Sequence, residues 1–335
     1  MSDYPLADYR PPRLLKGAHL QSALASLPLR QRRVEGRAAP LLAGSSPEII
    51  DCGGDVRLLA EHTPPRQGGT GRLAILIHGW EGSARSMYMV SVAGRLARDG
   101  FRVVRLNLRD HGASHHLNAE LFHSCRLEEV LNAVGVLHQR FPGERLFLGG
   151  FSLGGNFALR IAARAPGAGI RIEQVAAVCP VLDPRSTMAA LDNGLLHYRL
   201  YFIRKWRRSL ELKRGAFPGL YDFGELERFR TLSGMTDYFV RNYTEFPDLD
   251  TYLRGYAVTG NRLARLDVPT EILLADDDPV IPVRDVAALA RTPALTIRRS
   301  RHGGHCGFIA DYGLASWLDE YVSRVFSPDN RSPGR

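Results

Sequence analysis

Apolar residues follow two alternating rhythms along most of this chain. Short, mostly apolar runs at 73–77, 101–108, 146–150, 175–179 and 271–275, with another at 295–298, have the length and composition of buried strands. Between them, apolar residues recur every three or four positions. The stretches 86–98 and 153–165 read as helices, the second with Phe157, Ala158, Ile161, Ala162 and Ala165 on one face. Leu127, Val130, Leu131, Val134 and Leu137 mark a further helix, and Val283, Val286, Ala287 and Ala290 another. The last carries Leu314, Trp317, Leu318, Tyr321, Val322 and Val325. Strands alternating with amphipathic helices predict right-handed crossovers and a mostly parallel, doubly wound sheet, an α/β fold.

The pattern is interrupted twice. The first 45 residues, punctuated by Pro5, Pro11, Pro12, Pro28 and Pro40, read as an irregular extension with one short helix inside 17–27. Residues 47–52 and 55–62 then predict a hairpin around Gly53 and Gly54, and 64–71 a loop. From 183 to 266 aromatic and basic helical segments follow one another with no strand. An insertion of that length is expected to be a lid. The expected layout is an N-terminal extension packed on the core (1–45), the core in two parts (46–182 and 267–326), the helical insertion (183–266) and a tail (327–335).

Composition adds limits. With 44% hydrophobic and 24% charged residues, the 335-residue chain has the balance of a globular protein. The start, MSDYPLADYRPPR, has no apolar centre and does not read as a secretory signal, and no run of about 18 apolar residues predicts a membrane span. Four scattered cysteines, Cys52, Cys125, Cys179 and Cys306, argue against a zinc cluster and fit reduced thiols in a cytoplasmic protein. The net charge of +9 raises the possibility of a nucleic-acid partner. Six of those nine charges, however, sit in one block between Arg199 and Arg214, so the chain is not basic throughout and no nucleic-acid partner is expected.

The chemistry begins at RLFLGGFSLGGN (145–156), where strand, G-x-S-x-G and helix follow in order. A serine on so sharp a turn needs neighbours two residues away that lack side chains, here Gly150 and Gly154. It then stands above the carboxyl edge of the sheet, with a helix N-terminus aimed at the reacting group. Ser152 is the expected nucleophile. A serine hydroxyl needs a base, and the base needs an orienting acid. In ADDDPVIP (275–282), Asp278 before Pro279 is the first choice of acid, Asp277 the second, with Asp276 tied to the strand end; Asp183 is an outside candidate. In RHGGHCGF (301–308), His305 between glycines is the expected base and His302 the alternative. The oxyanion donors are expected to be the backbone N–H groups of Leu153 and of Trp80 in HGWEGSARS (78–86). The Trp80 indole reads equally as a pocket wall or a structural ring. His115 and His116 lack further well-spaced ligands, so no metal is expected. No G-x-G-x-x-G follows a strand, so no nicotinamide or flavin cofactor is expected either.

HGWEGSARS, NLRDHGAS, GFSLGGN, DDP and GGHCGF, in this order, resemble the YheT-type branch of the α/β-hydrolases, which includes bacterial esterase-like proteins and animal abhydrolase-domain proteins. PPRLLKGAHLQS (11–22) is similar to the N-terminal segment of that branch, typically ending in HLQT, and TDYF (236–239) to its tyrosine-containing lid segment. The resemblance implies an α/β-hydrolase fold, a triad of Ser152, Asp278 and His305, and hydrolysis of carboxylic esters without a cofactor. Four positions depart from the branch: Asp110 and His111 where glycine and a small residue are usual, Cys306 where an aliphatic residue is usual, and Ser22, which gives HLQS for HLQT.

The expected substrate is a small-molecule ester with a short- to medium-chain acyl group. The segment 194–214 interleaves Leu195, Leu196, Tyr198, Leu200, Tyr201, Phe202, Ile203 and Trp206 with the basic block, a composition that covers an active site or lies on an anionic membrane. Lipid-ester hydrolysis at a membrane and acyl transfer are therefore the alternatives. A catalytically silent fold acting as a binding protein is the alternative from another class.

Overall fold

The computed structural model describes residues 3–5, 9–66 and 69–327. Nearly all of the expected tail, residues 67–68 of the expected loop, and residues 1–2 and 6–8 of the extension lie outside the described residues. The strands are β1 (Asp3–Pro5), β2 (Ser46–Asp51), β3 (Arg57–Thr63), β4 (Arg72–Ile77), β5 (Arg102–Leu106), β6 (Arg145–Phe151), β7 (Ile172–Val178), β8 (Thr270–Ala275) and β9 (Leu295–Ser300). They form one sheet in the order β1-β9-β8-β7-β6-β4-β5-β3-β2. Only β3 runs against its neighbours; the other adjacent pairs are parallel.

Eleven helices accompany these strands among the described residues: α1 (Ala18–Leu24), α2 (Pro28–Arg37), α3 (Ala39–Ala43), α4 (Met87–Arg98), α5 (Leu127–Arg140), α6 (Leu153–Arg164), α7 (Pro184–Asn193), α8 (Leu196–Ala216), α9 (Leu232–Tyr243), α10 (Leu249–Tyr256) and α11 (Trp317–Val325). They explain why the central strands are apolar on both faces. Leu73, Ile75 and Ile77 of β4 and Leu146 and Leu148 of β6 pack into one layer with α5 and α6. Ala74, Leu76 and Phe147 pack into the other with α4 and α11. A strand covered on both faces loses its polar alternation.

Three local expectations are corrected. The described residues among the first 45 are mostly helical rather than irregular, and Asp3–Pro5 form the edge strand β1. Helix α2 carries four arginines and few apolar residues, so it leaves no periodic trace in the sequence. It is held instead by Val34 in the core and by the buried Arg30, which donates to the carbonyls of Ala25 (2.9 Å) and Leu314 (3.1 Å). Residues Val283–Ala288 form a 3-10 helix rather than an α-helix, and Leu314 precedes α11 with a φ of 59°.

Helices α7 to α10 lie between β7 and β8, and α8 is the longest of them, with 21 residues. It buries Ile203, Trp206 and Leu210, and also Lys213. The Lys213 ammonium donates to Asp110 Oδ1 (2.7 Å) and to the carbonyls of Asn118 (2.6 Å) and Glu120 (2.9 Å). Asp110 also accepts from the Phe122 N–H (2.8 Å), so its charge is matched inside the loop after β5. None of the described helices is long and apolar enough to cross a membrane.

Replacing one partner of a buried ion pair strands the other charge, at a cost of about 3–5 kcal/mol. Lys213→Met is expected to lower unfolding free energy by about that much in a urea titration. The double variant Asp110→Asn with Lys213→Met is expected to recover much of the loss.

Candidate active site

The turn that carries Ser152 is set by contact distances. A Cβ on Gly150 would stand 2.2 Å from the Gly154 carbonyl oxygen; one on Gly154 would stand 2.2 Å from the carbonyl oxygen of Ile77 and 2.4 Å from that of His78. Both positions therefore exclude every other residue. Held between them, Ser152 takes φ 54° and ψ −118°, a conformation that surrounding structure must enforce on a side-chain-bearing residue. Its N–H donates to the Val178 carbonyl (2.9 Å), and α6 begins at the next residue. Asn156, one turn on, donates to the carbonyls of Val181 (2.8 Å) and Tyr256 (2.7 Å), tying α6 to the helical insertion.

Ser152, His305 and Asp278 come together although 153 and 27 positions separate them along the chain. His305 Nε2 lies 3.0 Å from Ser152 Oγ, and His305 Nδ1 lies 2.9 Å from Asp278 Oδ2. The carboxylate can only accept, so Nδ1 carries the hydrogen and Nε2 is free to accept from the serine hydroxyl. Asp278 is itself held: its other oxygen accepts from the N–H groups of Val280 (2.8 Å) and Ile281 (3.0 Å), and its side chain is inaccessible to solvent. The remaining acids have other partners. Asp276 pairs with Arg299 (2.8 Å), and Asp277 accepts from the Gly304 N–H (2.9 Å) with His302 Nδ1 3.6 Å away. Asp183 caps α7, accepting from the Arg185 N–H (2.9 Å). His302 thus faces Asp277 rather than the serine.

Burial by itself disfavours the charged imidazolium of His305. The Asp278 carboxylate beside it outweighs that, with Cys306 adding to the effect, and the pKa is pushed up to about 9. The imidazole is a stronger base than an ordinary histidine.

The loop after β4 is positioned by residues that sequence patterns did not single out. The Gly79 N–H donates to the Tyr88 hydroxyl (2.9 Å), and a Cβ on Gly79 would come 3.1 Å from Ser152 Cβ. Buried His78 contacts the Gly79 carbonyl through Nδ1 (2.7 Å) and accepts from the Leu108 N–H through Nε2 (3.1 Å). Burial lowers its pKa to about 4, so it stays neutral and bolts the loop to the end of β5. Among the described residues, the N–H groups of Trp80 and Leu153 have no protein acceptor. The Trp80 ring stacks on Phe202 (5.4 Å between centroids) and meets Trp206 edge-on (5.4 Å), so the indole joins this loop to α8.

A cavity of about 870 Å³ opens above Ser152, with Met188, Leu191, Leu232 and Phe239 of the insertion among its apolar walls and Ser22 and Ser26 on another side. The Cys306 thiol has a second thiol next to it. Cys179 lies beside it, and the two sulfurs and a His305 nitrogen fall within 4.8 Å of one another. His305 is already engaged at both nitrogens, so the geometry assigns it to Ser152 and Asp278 rather than to a metal. His115, from the rejected metal pair, contacts Ser209 Oγ (2.9 Å).

Strand, forced turn and helix, with a hydrogen-bonded serine, histidine and aspartate at the sheet edge, define the architecture of a hydrolase built on a nucleophile turn. The sequence model of the alpha/beta hydrolase fold family matches residues 75–312, and the chain belongs to that family. It is 24% identical over 208 residues to a monoacylglycerol lipase of Danio rerio, covering 56% of this chain and 49% of that one. It is 20% identical over 265 residues to a monoacylglycerol lipase of Saccharomyces cerevisiae, covering 75% and 58%. The chain thus spans about half the length of these curated relatives. The solved structure of an esterase from Pyrococcus furiosus superposes with a TM-score of 0.55 at 17% identity, covering 87% of this chain and 93% of that one, and shares the fold.

An NMR titration of the His305 imidazole is expected to show a pKa above the ordinary value of about 6.5. The neutral, base-competent form then grows as pH rises through that raised value. Asp278→Asn removes the larger raising charge and leaves burial opposed by the smaller effect of Cys306, so the pKa is expected to fall from the wild-type value; an unchanged titration would separate Asp278 from His305.

Proposed function

We propose that this protein is a serine hydrolase that cleaves carboxylic esters of short- to medium-chain acids through an acyl-enzyme, and that it belongs to the YheT-type branch on the strength of GFSLGGN and the upstream HLQS. The observation that carries this reading is the unbroken chain of contacts from Asp278 through His305 to Ser152 at the floor of an apolar-walled cavity. The relatives named as lipases and the structural neighbour named as an esterase are in keeping with an ester substrate.

The chemistry follows from the contacts. His305 Nε2 takes the hydroxyl proton as Ser152 Oγ bonds to the ester carbonyl carbon, and the carbonyl pair moves onto oxygen. The N–H groups of Leu153 and Trp80 stabilise that oxyanion, together with the N-terminal end of α6. Asp278 keeps the imidazole in the Nδ1–H form and stabilises the cation. Collapse expels the alcohol, which takes the proton from His305. Water, deprotonated by the same nitrogen, then releases the acid and regenerates Ser152.

A second reading, action on a lipid ester at a membrane surface, is favoured by one feature. Leu195, Leu196, Leu200 and Tyr201 around the start of α8 are 46%, 54%, 37% and 46% exposed, and the last two also line the cavity. The basic block contributes less than its charge suggests. Arg199, Lys205 and Arg207 donate to backbone carbonyls, Lys213 pairs with Asp110 and Arg214 with Glu211. Arg204 and Arg208 are the exposed cations of the block without a partner among the described residues.

A fluorophosphonate probe is expected to label the wild type and not Ser152→Ala; equal labelling of both would refute the nucleophile. With p-nitrophenyl esters, His305→Ala is expected to lose on the order of 10³-fold or more in kcat while His302→Ala keeps most activity. Labelling without ester turnover would favour acyl transfer, and neither would favour a binding protein. In liposome co-sedimentation, replacing Leu196 and Leu200 by serine is expected to weaken binding more than Arg207→Gln; no binding by the wild type would remove the membrane reading.

A further inference from the structure

We propose that Ser22, backed by Gln21, is a positioning residue for the base: helix α1, which lies outside the family-matched span, holds the loop that carries His305. The inference rests on the esterase reading above and adds a second support for the base besides Asp278.

The loop after β9 does not hold itself. Gly303 and Gly304 have φ of 149° and 54°, and Cys306 and Phe308, which carry side chains, have φ of 54° and 44°. Conformations of this kind persist only where neighbours over-determine them. Asp278 accepts from the ring of His305, and its other oxygen accepts from Val280 and Ile281 rather than from the His305 backbone. On the opposite side lies α1. The His305 N–H donates to Ser22 Oγ at 2.8 Å. The Ser22 hydroxyl donates its own hydrogen to the Ala18 carbonyl at 2.9 Å, so the lone pair facing His305 is fixed in direction.

Gln21 secures the far end of the same loop. It is fully buried, and its Oε1 accepts from the Ile309 N–H at 2.6 Å. Its amide nitrogen donates to the carbonyls of Leu15 (2.6 Å) and Ile309 (3.3 Å). The contact leaves no slack: a Cβ on Gly304 would stand 2.3 Å from the Ala18 carbonyl oxygen, and one on Gly307 2.6 Å from that of Gln21. From the other side, Asp277 accepts from the Gly304 N–H (2.9 Å). The backbone of His305 is thus clamped between α1 and the acidic turn after β8. A displacement of about 1 Å at a reacting group costs on the order of 10²-fold in rate. A hydroxyl that fixes the residue behind the imidazole therefore acts on kcat without touching substrate chemistry.

The test compares wild type, Ser22→Ala and Ser22→Thr by p-nitrophenyl ester kinetics, fluorophosphonate labelling rate and thermal unfolding. A threonine hydroxyl in a helix can still donate to the carbonyl four residues back, so it preserves the clamp. Ser22→Ala is expected to lower kcat and the labelling rate about ten- to a hundredfold, with KM and Tm close to wild type. Ser22→Thr is expected to restore both rates to within a few-fold. Wild-type rates in Ser22→Ala, a loss matched by a fall in Tm, or a Ser22→Thr variant as slow as Ser22→Ala would each overturn the proposal. A wild type that neither reacts with the probe nor turns over ester would overturn the esterase reading itself, a result distinct from those three.

Discussion

At the carboxyl edge of the sheet, the first turn of α6 lies against the backbone at the end of β4 with no space for a side chain between them. The rest of the site depends on that contact. Because Gly154 touches the Ile77 and His78 carbonyls, the turn before it has one path, and Ser152 is driven to positive φ with its hydroxyl clear of the sheet. The same approach brings the loop after β4 beside the serine, where a Cβ on Gly79 would come 3.1 Å from Ser152 Cβ. His78 and Tyr88 then fix that loop from behind. One steric constraint thus sets the path of the serine turn and of the loop beside it together.

The base is governed by a different balance. Burial opposes charge on His305, while the inaccessible Asp278, held by two backbone N–H groups, favours it. The balance favours the cation of the ring and makes its neutral form a stronger acceptor than an ordinary histidine. The backbone behind the ring is held separately, by the Ser22 hydroxyl on one side and by Asp277 through the Gly304 N–H on the other.

The helical insertion shows how charge in a sequence can mislead. Seven cations in sixteen residues of segment 199–214 suggest a surface made for anions. In the folded chain most of them are internal fasteners. Lys213 closes the loop after β5, Lys205 reaches the Glu81 carbonyl beside Trp80, and Arg207 gathers carbonyls at 226–229. What α8 presents around its start is mainly apolar, next to the cavity that it helps to line.

The parallel sheet, its covering helices and the elbow were legible in the sequence because their causes are local. Apolar runs, helical spacing and the two glycines flanking Ser152 each act within a few residues of themselves. The order of serine, aspartate and histidine could be read from motif and resemblance, since each sits in the segment that follows a strand. The helical start of the chain was not legible, because α2 is held by the arginine side chain of Arg30 rather than by an apolar stripe. Which of three consecutive acids meets His305 depends on where β8 ends against β9, and the Ser22 clamp joins residues 283 positions apart. The pairing of Lys213 with Asp110 and the approach of Cys179 to Cys306 have the same origin. Hydrogen bonds and ion pairs are decided over a few ångströms in space, and residues far apart in the chain acquire such distances only when the sheet has brought them to one edge.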